Sequence, residues 1–308
     1  MTETVKIEPL NIKTAVAIGY FDGVHTGHRM ILDTAVAYAR QMSLRPAVFT
    51  FDMSGRRAEG KGDSDLITAR EKKRHIEERG VEYYVSPPFE SFCGLSGRDF
   101  VDQVLSRKCL NAAVVVCGED FRFGKDRKCG VRELKRFCGP YGIQVFAQDA
   151  LVMDGEKVSS SRIKAELQEG NIQEVNRLLG YEYSVSGSVI CGDHRADELG
   201  FPTANIPFPS ECVLPRKGVY VSNVDVNGAV FRGITYIGTR PTLTEDRQAV
   251  VETHIIGFSG DLYDTDITVR LLSFIRPEKK FASAEELAEA VRLDIGSVRT
   301  PDPDSEAL

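Results

Sequence analysis

Apolar and polar positions follow two textures along this chain. As far as about Ala150, short apolar runs recur at 15–18, 47–51, 81–85, 112–116 and 143–146, each the length of a strand. Between them Leu32, Ala35, Val36 and Ala39 share one helical face, and so do Phe100, Val101, Val104 and Leu105. Strands that alternate with helices predict an α/β, Rossmann-like domain with a parallel sheet and helices on both faces. Such a sheet takes its ligands outside the carboxyl ends of its strands.

Residues 159–179 read as two short helices, broken at Gly170-Asn171 and closed by Gly180, a residue suited to the position after a helix. After Tyr183 the texture changes. Runs at 185–190, 218–226, 229–237, 251–258 and 267–275 read as strands with no helices between them, and Val226-Asn227-Gly228-Ala229 has the form of a hairpin turn. This half is expected to be a small antiparallel β-barrel, closed by a helix over 283–293 that Ser283 caps and Glu286 supports. The expected domains are therefore 1–183 and 184–300, followed by a disordered tail at 301–308. The polar stretch 54–65 reads as a mobile loop.

With 308 residues, 42% of them hydrophobic, the chain is long enough for two ordinary cores. A net charge of −6 carries no basic excess, so nucleic acid and anionic membrane surfaces are not expected partners. No apolar stretch approaches the ~20 residues that span a bilayer, and the first residues, Met1-Thr2-Glu3-Thr4-Val5, lack the basic and apolar regions of a leader. The expectation is a soluble, cytoplasmic protein of unspecified oligomeric state. Seven scattered cysteines, none at C-x-x-C spacing, speak against a zinc site or a disulfide framework. Cys109 and Cys117, in or beside apolar runs, read as small buried thiols.

Chemistry concentrates first in Gly19-Tyr20-Phe21-Asp22-Gly23-Val24-His25-Thr26-Gly27-His28, between the first strand and its helix. There, backbone N–H groups and the positive helix end can hold phosphates, the glycines allow close approach, and His25 and His28 can donate to phosphate oxygens. The segment 118–124, Gly-Glu-Asp-Phe-Arg-Phe-Gly, adds Asp120, Phe121, Arg122 and Phe123, groups that pack a flat ring and orient a phosphate. Ser159, Ser160, Ser161 and Arg162 open a helix with three hydroxyls and a guanidinium, suited to phosphate oxygens and a leaving pyrophosphate. In the second half, Thr203 and Asn205 stand two apart in Gly200-Phe201-Pro202-Thr203-Ala204-Asn205. If the segment is extended, both oxygens face one side and can meet Mg²⁺ and nucleotide phosphates.

The histidine motif resembles the H-x-G-H signature of the nucleotidylyltransferase superfamily, and together with the segments at 118 and 159 it resembles prokaryotic FAD synthetases. Pro202-Thr203-Ala204-Asn205 is similar to the motif of bacterial riboflavin kinases. The segments at 218–220, 237–242, 251–252 and 261–263, and the ending Arg276-Pro277-Glu278-Lys279-Lys280-Phe281, match later elements of that family. The resemblance runs from about Ile18 to Asp294. It implies a bifunctional riboflavin kinase/FMN adenylyltransferase, with an N-terminal adenylyltransferase fused to a C-terminal flavokinase barrel. Riboflavin, FMN and ATP are the implied substrates, with Mg²⁺.

The resemblance also implies roles. Gly19, Phe21, Asp22, Gly27, Ser160, Ser161, Arg162, Thr203 and Asn205 would bind ATP, and His25 and His28 would act on its phosphates. Asp120, Phe121 and Phe123 would bind flavin, Thr203 and Asn205 would hold the metal, and Glu252 would be general base on the riboflavin 5′-hydroxyl. Four departures stand out. The family's T-F-x-P-H-P element is Thr50-Phe51-Asp52-Met53-Ser54-Gly55 here; its G-R before x-L-G-F-P-T is Ala196-Asp197; Tyr236 replaces Asn; Ser161 and Lys164 replace Thr and Arg. Two other readings follow from these: an enzyme with one working half, the kinase weakened, or a non-catalytic flavin-nucleotide-binding protein.

Overall fold

All five apolar runs of the first half become strands of a single parallel sheet in the computed structural model, which describes residues 1–59, 63–192, 200–241 and 247–298. The strands are β1 (Thr2–Thr4), β2 (Thr14–Ile18), β3 (Arg45–Phe49), β4 (Tyr83–Val85), β5 (Ala112–Gly118) and β6 (Gln144–Gln148). They pair in the order β1-β4-β3-β2-β5-β6, every pair parallel. β1 has no apolar run to announce it: Thr2-Glu3-Thr4 is recruited by β4, with Thr2 opposite Tyr83. β2 is buried along its whole length, as a strand covered on both faces must be.

Helices α1 (Thr26–Gln41), α2 (Ser54–Ala58), α3 (Ala69–Glu77), α4 (Gly97–Phe100) and α5 (Val131–Cys138) lie between the strands. α1 buries Ile31, Leu32, Ala35, Val36 and Ala39, the stripe its spacing requires. Phe100, Val101, Val104 and Leu105 are all buried, but α4 ends at Phe100 and the chain continues as a π-helical turn over Val101–Leu105. The segment expected as a loop from residue 54 begins instead as α2, because the Asp52 carboxylate accepts the Ser54 N–H at 2.8 Å and its hydroxyl at 2.7 Å. A hairpin of β7 (Val152–Met153) and β8 (Glu156–Lys157) follows the sheet. From β2 the chain moves to one side through β3 and β4, then crosses to the other side at β5. The ends of β2 and β5 therefore flank the topological switch point, where such sheets bind ligands.

Contacts divide the chain into two units, Met1–Ser160 and Ser161–Leu308. The boundary falls after the first residue of α6 (Ser160–Glu169), and the second unit continues with α7 (Ile172–Leu179), ended by Gly180 at φ 74°. Its strands are β9 (Ser184–Ser188), β10 (Thr203–Pro207), β11 (Gly218–Val226), β12 (Ala229–Pro241), β13 (Arg247–Ile255) and β14 (Asp266–Pro277). All are antiparallel, in the order β10-β13-β12-β11-β14-β9. The two outer strands approach each other where the Ile190 N–H donates to the Asn205 carbonyl at 2.8 Å, so the barrel is nearly closed. Its interior carries a line of buried hydroxyls, Ser222 to Thr235 at 2.7 Å and Thr235 to Thr253 at 2.9 Å, each satisfying the next. α8 (Ala284–Val298) is capped by Ser283, which accepts the Glu286 N–H at 3.3 Å, and it buries Ala288 and Asp294. Residues 193–199, with Ala196-Asp197, and the tail 301–308 lie outside the described residues.

Candidate functional site

In the first unit the glycine-framed loop leaves β2 with Phe21, Gly23 and Val24 at φ 57°, 76° and 38°. A positive φ is strained for phenylalanine and more so for β-branched valine. Complete burial of both side chains holds the loop in that shape. The loop delivers His25 to the cap of α1, where its Nδ1 accepts the His28 N–H at 3.3 Å. A ring that accepts at Nδ1 is neutral and carries its proton on Nε2, leaving that N–H available as a donor.

His25 and His28 stack with ring centroids 3.6 Å apart and 17° between planes, and the Phe21 ring meets His28 edge-on at 5.3 Å. Burial, with the charge of Lys157, lowers the His25 pKa to about 4; burial, with His25, Lys72 and Lys157, puts His28 well below the ordinary histidine value. Both rings are therefore neutral near pH 7. Among the described residues, the buried Nδ1 of His28 has no hydrogen-bond partner. An anion arriving at this helix end meets the α1 N-terminus and an Nε2–H of His25.

Other residues named from the sequence gather here. Asp22 is buried, its Oδ1 accepts the Leu66 N–H at 2.7 Å, and its carbonyl accepts the Ser160 hydroxyl at 2.9 Å. Gly19 packs against the Phe21 ring, and Gly27 lies against the His25 ring. Asp120 is ion-paired to Lys157, which holds its carboxyl below the usual range. Phe121 and Phe123 stack at 5.7 Å and continue, through Phe100 and Phe92, into a band of rings that includes Phe89 and Phe51. This band follows the carboxyl ends of β3, β4 and β5. Ser161 and Arg162 fall in the second unit, where Arg162 donates to Glu174 at 2.8 Å.

Sequence reasoning did not single out the polar cluster beside the loop. The Tyr20 hydroxyl donates to Asp65 at 2.6 Å, and Arg57 donates to Asp65 at 2.7 Å and to the Tyr20 oxygen at 3.2 Å. Burial, then Asp65, pushes the Tyr20 pKa up. Arg57 thus ties α2 to the loop. Lys72 and Lys157 complete the cationic surroundings of the histidines. The available signal was a lysine on the buried stripe of a short helix, Lys72 with His75 and Ile76.

In the second unit, strand register builds the site. Asn205 on β10 stands opposite Glu252 on β13, Glu252 opposite Tyr236 on β12, Tyr236 opposite Val219 on β11, and Val219 opposite Arg276 on β14. Directly opposed residues share a face, so one row carries an amide, a carboxylate, a phenol and a guanidinium. Asn205 is buried, and its amide N–H₂ donates to the Thr203 carbonyl at 3.1 Å, next to the Thr203 hydroxyl at 3.4 Å. That bond turns the amide nitrogen toward Thr203. The pair carries hydroxyl and amide oxygens, the hard donor type that Mg²⁺ takes, so the donor chemistry fits that ion. His254, opposite Thr203 and not picked from the sequence, donates its Nδ1–H to the Pro202 carbonyl at 2.9 Å and meets Phe201 edge-on. Arg276 is held by Asp294 of α8 through bonds of 2.8, 3.0 and 3.2 Å. The Tyr236 hydroxyl donates to Glu278.

The family model for FAD synthetase matches residues 7–162, and that for riboflavin kinase matches residues 179–301. A bifunctional riboflavin kinase/FMN adenylyltransferase of Bacillus subtilis is 37% identical over 289 residues, covering 92% of this chain and 90% of the relative. The chain belongs to the bifunctional riboflavin kinase/FMN adenylyltransferase family. The Escherichia coli K12 protein of the same description is 34% identical over 283 residues, covering 91% of this chain and 90% of its own. A crystal structure described as a macrolide-efflux protein from Streptococcus pneumoniae superposes with a TM-score of 0.86 at 27% identity, covering 97% of this chain and 99% of that one. Among the described residues, no helix is long and apolar enough to cross a membrane.

Proposed function

We infer that this member of the family makes both flavin coenzymes: its barrel transfers the γ-phosphoryl group of ATP to riboflavin, and its N-terminal unit transfers AMP from ATP to FMN, releasing pyrophosphate. One observation carries the reading. Each family match falls on its own half of the chain.

In the adenylyl transfer, an FMN phosphate oxygen attacks the α-phosphorus of ATP while the bond to the β-phosphate oxygen breaks. His25 and His28 lie where the nucleotide phosphates meet the α1 N-terminus, and their N–H groups donate to oxygens whose charge grows in the transition state. Ser160, whose hydroxyl donates to the Asp22 carbonyl, serves the same phosphates and the departing pyrophosphate, and the family resemblance adds its sequence neighbours Ser161 and Arg162. Gly19, Phe21, Asp22 and Gly27 shape the nucleotide cradle. The band of rings ending in Phe121 and Phe123 offers apolar faces to the isoalloxazine, with Asp120 at its edge.

In the kinase half, Glu252 takes the proton of the riboflavin 5′-hydroxyl as it attacks the γ-phosphorus. Thr203 and Asn205 would hold Mg²⁺, which when bound neutralises charge on the phosphate oxygens. Motif order assigns 1–183 to adenylyl transfer and 184–300 to the kinase. A cytoplasmic setting, where ATP and riboflavin meet, is part of the same reading.

The test is incubation of the purified protein with ATP, Mg²⁺ and either riboflavin or FMN, with the flavins resolved by chromatography. FMN from riboflavin and FAD from FMN are both expected. His28→Ala should abolish only FAD formation and Glu252→Ala only FMN formation. A wild-type protein that binds flavins but converts neither would overturn the reading in favour of a sensor.

A further inference from the structure

Lys72 is a buried cation that the reactions as described leave unused. It sits on the inner side of α3 at 6% exposure, four residues beyond the capping residue Thr68. Its Nζ donates to the Tyr20 carbonyl at 3.3 Å and lies 4.2 Å from the centroid of the Tyr20 ring. An ammonium has three N–H donors. One is used, and among the described residues no carboxylate forms an ion pair with it.

The neighbouring carboxylates are engaged elsewhere. Asp65 serves Tyr20 and Arg57, Asp52 serves Ser54, and Asp22 receives the Leu66 N–H. They favour the charged form of Lys72 from a distance without capturing it, while burial and Arg57 oppose it. A lysine whose purpose was only to pack would extend its ammonium to solvent. This one turns inward to the loop that carries the histidine pair, and its charge reaches His28. Donors without acceptors, a fixed cation and a neutral imidazole pair therefore converge at the carboxyl end of β2.

We propose that Lys72 is a phosphate ligand of the adenylyl-transfer site, donating to a phosphate oxygen of ATP or of FMN alongside His25 and His28. The proposal rests on the reading of that site as the one that makes FAD. Within it, Lys72 is a point charge supplied by a helix outside every motif named above. It gives the incoming anion a partner that the Tyr20 ring and carbonyl hold in place beforehand.

Two variants test it: Lys72→Met keeps the stem and removes the charge, and Lys72→Arg keeps the charge. KM for ATP and KM for FMN are measured separately in FAD formation, with riboflavin phosphorylation followed in the same preparations and thermal melts recorded for both variants. The expected result is a rise of about 10- to 100-fold in one KM or both for the methionine variant, the size of a lost charge-assisted hydrogen bond. The arginine variant should recover most of the loss, and kinase activity should stay unchanged. A rise confined to ATP assigns the nucleotide as the source of the phosphate, and one confined to FMN assigns the flavin. Wild-type KM values in Lys72→Met would overturn the proposal, as would equal losses in both variants that track a lowered melting temperature. Absence of FAD formation by the wild-type protein would instead remove the parent reading.

Discussion

Acidification should weaken the N-terminal unit through its histidines before its carboxylates titrate. His25 and His75 are both buried, and in each case burial is the main reason the pKa falls from 6.5 to about 4; Lys157 adds to it at His25, and Arg74 at His75, where Glu78 opposes. In the unfolded chain both rings take up a proton near pH 6.5, whereas in the folded protein they resist until about pH 4. Stability is therefore fully present above pH 6.5 and is lost as the pH falls toward 4, where the unfolded state binds the extra protons. Between pH 7 and pH 5 each ring removes on the order of 2 kcal/mol, roughly 4 for the pair. Urea unfolding followed by circular dichroism at half-unit steps of pH measures the loss. Histidine-selective NMR of the folded protein measures the two titrations directly. His75→Gln, which leaves nothing to protonate at that position, should remove that ring's share of the pH dependence and leave the shares of His25 and of His28, which burial also holds well below 6.5. Titration of His25 and His75 between pH 6 and 7, or an unchanged slope in His75→Gln, would refute the reasoning.

Two predictions concern the barrel. Asp294→Asn removes the charge that three hydrogen bonds aim at Arg276; with Asp294 buried and Arg276 partly exposed, the loss should be about 1–3 kcal/mol, visible as a lower melting temperature and weaker riboflavin phosphorylation with FAD formation from FMN intact. Gly238→Ala would drive a methyl group into the Tyr236 hydroxyl and the ring carbon bearing it, so the ring must leave Glu278. The cost should be about 1–3 kcal/mol in the native background and much smaller in Tyr236→Asn, a coupling that a double-mutant cycle by denaturant titration would measure.

The two textures of the chain were legible because each element follows from short-range periodicity: continuous apolar runs for strands covered on both faces, alternation for the barrel, and a 3.6-residue stripe for α1. β1 was not legible, since Thr2-Glu3-Thr4 becomes a strand only when the edge of β4 is available. α2 was missed for a related reason, because the side chain of Asp52 starts it rather than any pattern within it. The histidine loop could be read because its glycines and histidines are contiguous. Tyr20, Asp65, Arg57 and Lys72 could not, because they come from three separate segments that only the fold brings together. The pairing of Asn205 with Glu252 depends on register across strands 47 residues apart in sequence, which no local window contains.

The row from Asn205 to Arg276 has a consequence for how this enzyme can change over generations. A substitution in one strand alters one contributor and leaves the other four aimed as before. An inserted or deleted residue inverts every side chain beyond it, so one extra residue early in β13 would turn Glu252 inward beside the hydroxyl line of Thr235 and Thr253. Drift in composition is tolerated in these strands and drift in length is not. Length variation is left to the connections between strands, and on the role proposed for Glu252 a lineage that gained a residue inside β13 would keep FAD formation while losing its own supply of FMN.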